Sequence, residues 1–115
     1  MSRGEVWLVD LEPTRGGEAD KVRPVVIVGR SVSAARAFHA GHGVITVVPL
    51  TSNTQRVLSF QTLVPATHSG LERDSKAQAE QVRSVDVRRF VHRVGVLPGS
   101  TMRALDDALR LHLDL

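Results

Sequence analysis

The chain has 115 residues and 42% apolar side chains, which suits one small domain with its own core. It contains no cysteine, which excludes disulfides, thiolate metal sites and cysteine nucleophiles, and no apolar run approaches a membrane span. The formal net charge is only +3, carried mostly by arginine, whose fork matches phosphate oxygens at two points where lysine does not. A GC-rich genome also favours arginine, so charge alone assigns no partner.

Met1-Ser2-Arg3-Gly4-Glu5 leads straight into an apolar stretch, so no signal peptide is expected and the cytoplasm is the expected address. Glu5–Leu11 reads as a strand bounded by Gly4 and Pro13. A long polar loop with Gly16 and Gly17 follows, and Arg23-Pro24 ends it at the lip of a second strand, Val25–Val28. That second run is apolar throughout and predicts burial on both faces. Ser31–Ala40 reads as a short helix behind a serine cap, closed by Gly41-His42-Gly43. Val44–Leu50 is a third strand, running into the polar cluster Thr51-Ser52-Asn53-Thr54. Val57–Val64 is a fourth, stopped by Pro65, and Leu71–Asp74 is a turn. Ser75–Val85 is strand-like but interrupted by Gln78, Glu80, Gln81 and Arg83. Val91–Leu97 is the last strand, closed by Pro98-Gly99.

The tail is a helix by periodicity. Met102, Leu105, Leu109 and Leu113 recur at three- and four-residue steps, with Ser100 or Thr101 as the expected cap. Such a helix has only the sheet to dock on. The pattern is therefore mainly β with a C-terminal helix, in one domain over 1–115, and short strands predict a small curled sheet or barrel.

Several blocks in order resemble the MazF/PemK family of toxin endoribonucleases. The first is Arg3-Gly4-Glu5-Val6-Trp7-Leu8-Val9-Asp10-Leu11 with Gly16-Gly17-Glu18 and Arg23-Pro24. The others are Val47-Val48-Pro49-Leu50-Thr51-Ser52, Leu71-Glu72-Arg73-Asp74-Ser75, Glu80-Gln81-Val82-Arg83-Ser84-Val85, and Gly95-Val96-Leu97 before the leucine-rich tail. The resemblance implies an SH3-like small β-barrel, a homodimer, a single-stranded RNA substrate and a cognate acidic antitoxin protein. It implies no cofactor, no metal and no membrane.

It also implies catalytic roles for Arg23 and Thr51. Ribonucleic acid can be cut by its own 2′-hydroxyl if an enzyme stabilises the charged five-coordinate phosphorus. Arginine is a poor proton donor at pH 7 but suits anionic oxygens. A threonine hydroxyl can donate to a phosphate oxygen, and it can equally satisfy its own turn. Pro24 biases Arg23 towards an extended backbone. Glu18 matches a family loop glutamate and could position the loop, act as a base or be solvated. Glu80 matches an acid/base position of the PemK branch, but the companion arginine of that branch is Gln78 here, so the chemistry falls first on Arg23 and Thr51. Lys21, Ser52, Asn53, Gln78, Gln81 and Arg83 are the expected RNA-binding residues. The family usually has a small or polar residue where Lys21 stands, which makes the Thr14–Val22 loop the expected determinant of base choice.

The five histidines, His39, His42, His68, His92 and His112, fall on no family motif. Trp7 sits within an apolar strand, where core packing is the expected role. A different class of function stays open on this fold: a non-catalytic poison of the CcdB type, binding a protein such as gyrase. The Arg-Pro and Thr positions favour RNA cleavage over it.

Overall fold

A computed structural model describes residues 1–11 and 22–115. The strands are β1 (Glu5–Asp10), β2 (Val22–Ile27), β3 (Val44–Thr51), β4 (Gln61–Val64), β5 (Ser75–Gln78), β6 (Arg83–Asp86) and β7 (Phe90–Val96). The helices are α1 (Ser31–Ala40), α2 (Ala66–Ser69) and α3 (Gly99–Leu113). The spatial order is β4-β5-β3-β2-β1-β7, with every pairing antiparallel and β6 branching from β3.

The curl comes from β3. Its first half, Val44–Val47, pairs with β6, while Leu50 and Thr51 pair with β5. The barrel is not closed by hydrogen bonds between β4 and β7 among the described residues. Instead α2, which follows β4, packs on β7. The contact is backbone on backbone: a Cβ on Gly95 would lie 2.4 Å from the Ser69 carbonyl oxygen, and one on Gly70 would lie 2.6 Å from that of Val94. Gly70 also has φ +82°, a conformation glycine adopts without penalty.

Both sheet faces are covered, which explains the unbroken apolar runs. Successive residues of a strand point to opposite faces. On β2, Val26 joins Val6, Val48, Leu50 and Val64 beneath Leu97, Leu105 and Ala108 around α3. Val25 and Ile27 turn the other way, to Val9, Ile45, Val47 and Val85 beneath Ala34 and Ala37 of α1. The fully buried Leu105 stabilises the first core by about 1.5–3 kcal/mol.

Trp7 is half-buried at the margin of the second core. Its ring meets Phe38 and Phe90, and its Nε1 donates to Glu5 Oε1 at 2.8 Å.

Several boundaries differ from the sequence expectation. The run expected as Val57–Val64 is a strand only from Gln61, because the Gln61 side chain and backbone close a turn on Leu58. The polar run Ser75–Val85 is two strands split by a 3-10 turn at Ala79–Gln81, whose Ala79 side chain enters the core. Helix α1 begins on Ser31 itself, with no side-chain cap, and Ser31 Oγ accepts from the Arg3 backbone N–H. Helix α3 begins at Gly99 after Pro98. Thr101 does not cap it: the residue is buried, and its hydroxyl meets His68 Nδ1 at 3.0 Å. The short α2 is absent from the sequence reading. The Gly41 end of α1 stands as expected, in left-handed conformation with its N–H on the Ala37 and Phe38 carbonyls.

Candidate active-site cleft

Two prolines mark where the central strands part. The β2–β3 ladder runs Ile27↔Val47, Val26↔Val48, Val25↔Pro49 and stops. Pro24 and Pro49 lack the N–H that would extend a ladder. Carried two residues further, the same register sets Arg23 across from Thr51. Alternation puts both on the face of Val25 and Pro49. Both side chains line the same cleft, Arg23 from the start of β2 and Thr51 from the end of β3.

A cleft of about 840 Å³ opens there. Its described residues are Leu11, the start of β2 (Val22, Arg23, Pro24), the end of β3 through Ser52, the turn Leu71–Arg73 with Ser75, and finally Gln78, Gln81 and Arg83. Among the described residues it holds three guanidinium groups, of Arg23, Arg73 and Arg83, against the one carboxylate of Glu72. That balance suits a polyanion.

Arg23 is exposed, and its recorded hydrogen bond is a long one, 3.4 Å from Nη1 to the Val22 carbonyl. Among the described residues, most of its guanidinium donors have no partner. Thr51 is partly exposed, and its Oγ1 accepts from the Asn53 backbone N–H at 3.3 Å. An accepting hydroxyl still has its own hydrogen to give. The turn role and the phosphate-donor role are therefore compatible on one side chain.

Of the RNA-binding candidates, Ser52, Gln78, Gln81 and Arg83 line the cleft. Asn53 does not: its Oδ1 accepts from the Gln55 N–H and holds the loop after β3. Glu80 does not either. Its Oε2 accepts from Gln61 Nε2 at 2.8 Å, and among the described residues its enclosed Oε1 has no hydrogen-bond partner. None of the five histidines lines the cleft. Glu18, Lys21 and the loop assigned to base choice lie outside the described residues, apart from Val22, which opens β2.

Sequence reasoning assigned no site role to Glu72, Arg73 or Ser75, which the structure brings to the cleft. In the sequence they form only a family-like turn, and an exposed Arg beside two acids carries no further signal. A second, shallower hollow at Asp10, Asp86 and Arg88–Val91 is dominated by an ion pair. There the side-chain and backbone hydrogen bonds from Arg88 hold the Asp86 carboxyl well below the usual carboxylate range.

A curled sheet between two helical layers, with an arginine- and threonine-lined cleft at its central strand ends, defines a small β protein with a cationic cleft. The chain belongs to the PemK-like, MazF-like toxins of type II toxin–antitoxin systems, whose family model matches residues 2–113. It is 50% identical over 115 residues to endoribonuclease MazF9 of Mycobacterium tuberculosis, covering all of this chain and 98% of the relative. It is 30% identical over 116 residues to endoribonuclease EndoA of Bacillus subtilis, covering all of this chain and 96% of the relative. Among solved structures, the M. tuberculosis toxin MazF-mt6 superposes with a TM-score of 0.78 at 26% identity, over 96% of this chain and 97% of that one. No helix among the described residues is long and apolar enough to cross a membrane.

Proposed function

We propose that the protein is a toxin endoribonuclease that cuts single-stranded RNA in this cleft and is neutralised by a cognate antitoxin. The observation that carries the reading is the convergence of Arg23 and Thr51 beyond the last β2–β3 pair, within a cleft holding three arginines. The identity of 50% to a named endoribonuclease over the whole chain supports it.

In the proposed reaction the ribose 2′-oxygen attacks the adjacent phosphorus. A new O2′–P bond forms as the P–O5′ bond breaks. The 2′-proton passes to a base, and the leaving 5′-oxygen takes a proton. Products are a 2′,3′-cyclic phosphate and a 5′-hydroxyl. Arg23 stabilises the extra negative charge on the phosphoryl oxygens, which peaks in the transition state. Thr51 donates its hydroxyl hydrogen to one of those oxygens. Gln78, Gln81, Ser52 and Arg83 line the path of the strand and supply donors and acceptors for base edges and phosphates. The scheme needs no metal ion.

The protein acts in the cytoplasm, as a homodimer. Leu111, Leu113 and Leu115 of the C-terminal segment stay exposed and are available for such an interface.

An RNA with a single 2′-deoxy sugar at the cut site tests the reaction. Loss of cutting at that linkage alone is expected. Continued cutting there would show that the 2′-hydroxyl is not the nucleophile.

A further inference from the structure

We propose that Arg73 is a substrate-binding residue: its guanidinium grips an RNA phosphate other than the one being cut. The proposal rests on the reading of this cleft as an RNA site and adds a contact outside the catalytic pair.

Arg73 is held out on a braced turn. At its start, Gly70 gives its N–H to the Ala66 carbonyl and fits against the Val94 backbone where no Cβ could. The Leu71 N–H donates to Ser69 Oγ at 3.0 Å, and Ser69 is fully buried. At its end, Asp74 Oδ1 accepts from the Ala66 N–H at 2.9 Å, and buried Ser75 opens β5. Glu72, Arg73 and Asp74 are thus exposed residues strung between two fixed points. The backbone that carries Arg73 is therefore ordered before binding, and only the side chain has freedom to lose.

Among the described residues its charge also has no carboxylate partner. Arg3, Arg88, Arg93 and Arg110 each meet a carboxylate within 4 Å, at Asp106, Asp86, Glu5 and Asp107. Among the described residues, the three arginines that line the cleft have no such partner. Arg73 is flanked in sequence by two acids, yet neither pairs with it. Asp74 spends an oxygen on the backbone of α2, and Glu72 is not within ion-pair distance. Glu72 on the same wall weakens any diffuse attraction for a polyanion. The contact must therefore be a direct fork on phosphate oxygens, the geometry arginine provides. A side chain on the turn before β5 reaches the cleft from a different part of the chain than Arg23 on β2. Arg73 lies outside the β2–β3 pairing that brings Arg23 and Thr51 to the cleft, and the proposal assigns it a neighbouring phosphate of the same strand.

The test uses an RNA containing a cleaved sequence, in cleavable form and with a 2′-deoxy sugar at the cut. Arg73→Ala should raise both KM and the Kd of the uncleavable RNA by about tenfold, with kcat changed less than about threefold. The slope of log affinity against log salt should become shallower by about 0.7, the share of one phosphate on a single strand. Arg73→Lys should keep the slope and recover part of the affinity, since it keeps the charge but loses the fork. An unchanged slope in Arg73→Ala would overturn the assignment, as would a loss that falls on kcat with KM intact. If the unmodified protein cuts no RNA, the endoribonuclease reading itself fails. A normal wild-type rate beside an unaltered Arg73→Ala slope refutes the Arg73 contact alone.

Discussion

Removing the Arg23 side chain separates chemistry from architecture. The residue is exposed, it precedes a proline that already sets the local backbone, and its recorded hydrogen bond is long. Arg23→Ala should therefore change stability by no more than about 0.5 kcal/mol, the range for surface substitutions. Removing one preorganised donor from a charged transition state typically costs about 10²–10³-fold in kcat. Among the described residues the Arg23 cleft is open to water, and Arg73 and Arg83 remain in it. Screening and the residual positive field place the expected loss near the lower end, about 10²-fold. The assay is single-turnover cleavage of an end-labelled RNA with enzyme in excess, beside thermal melting of the same preparations. Binding should weaken far less than the rate, because the interaction grows as the phosphoryl charge develops. A rate within about threefold of wild type, with an unaltered melting curve, would remove Arg23 from the chemistry.

Three further substitutions probe other parts of the account. Thr51→Val keeps the shape but loses the hydroxyl, and should slow cleavage by about 10–100-fold, as expected for one hydrogen bond to a charged group; an unchanged rate would leave Thr51 with only its turn role. Glu80→Ala strands the buried Gln61 amide, so chemical denaturation should show a loss of about 1–3 kcal/mol, with cleavage by the folded protein within about threefold. A loss of about 10²-fold in that protein would instead restore Glu80 to the chemistry. Gly95→Ala places a methyl 2.4 Å from the Ser69 carbonyl and should lower stability by about 1–3 kcal/mol through the α2–β7 contact, with unaltered stability arguing against that closure.

Much of the fold was legible because local pattern and burial agree in it. The two-sided burial of β2 followed from its unbroken apolar run, and α3 followed from its leucine spacing. Where side chains override the local pattern, the reading strayed. Gln61 turns its amide back on Leu58 and shortens β4, and Ala79 drops into the core and breaks the long polar strand. The two halves of β3 pair with different strands, and no single-strand pattern contains that information.

At the site, Pro24 and Pro49 were visible in the sequence. Their joint effect, ending one ladder where Arg23 and Thr51 line one cleft, needed the register. The Leu71–Ser75 turn reaches the cleft through tertiary braces on Ser69 and Ala66, which sequence spacing does not encode.

The most direct measurement is end-mapping of a long RNA after incubation with the purified protein in EDTA. Cuts should fall at one recurring short sequence, each leaving a 5′-hydroxyl and a 2′,3′-cyclic phosphate. RNA that stays intact until a divalent ion is added, or fragments that carry 5′-phosphates, would contradict an Arg23–Thr51 centre working on the substrate's own 2′-hydroxyl.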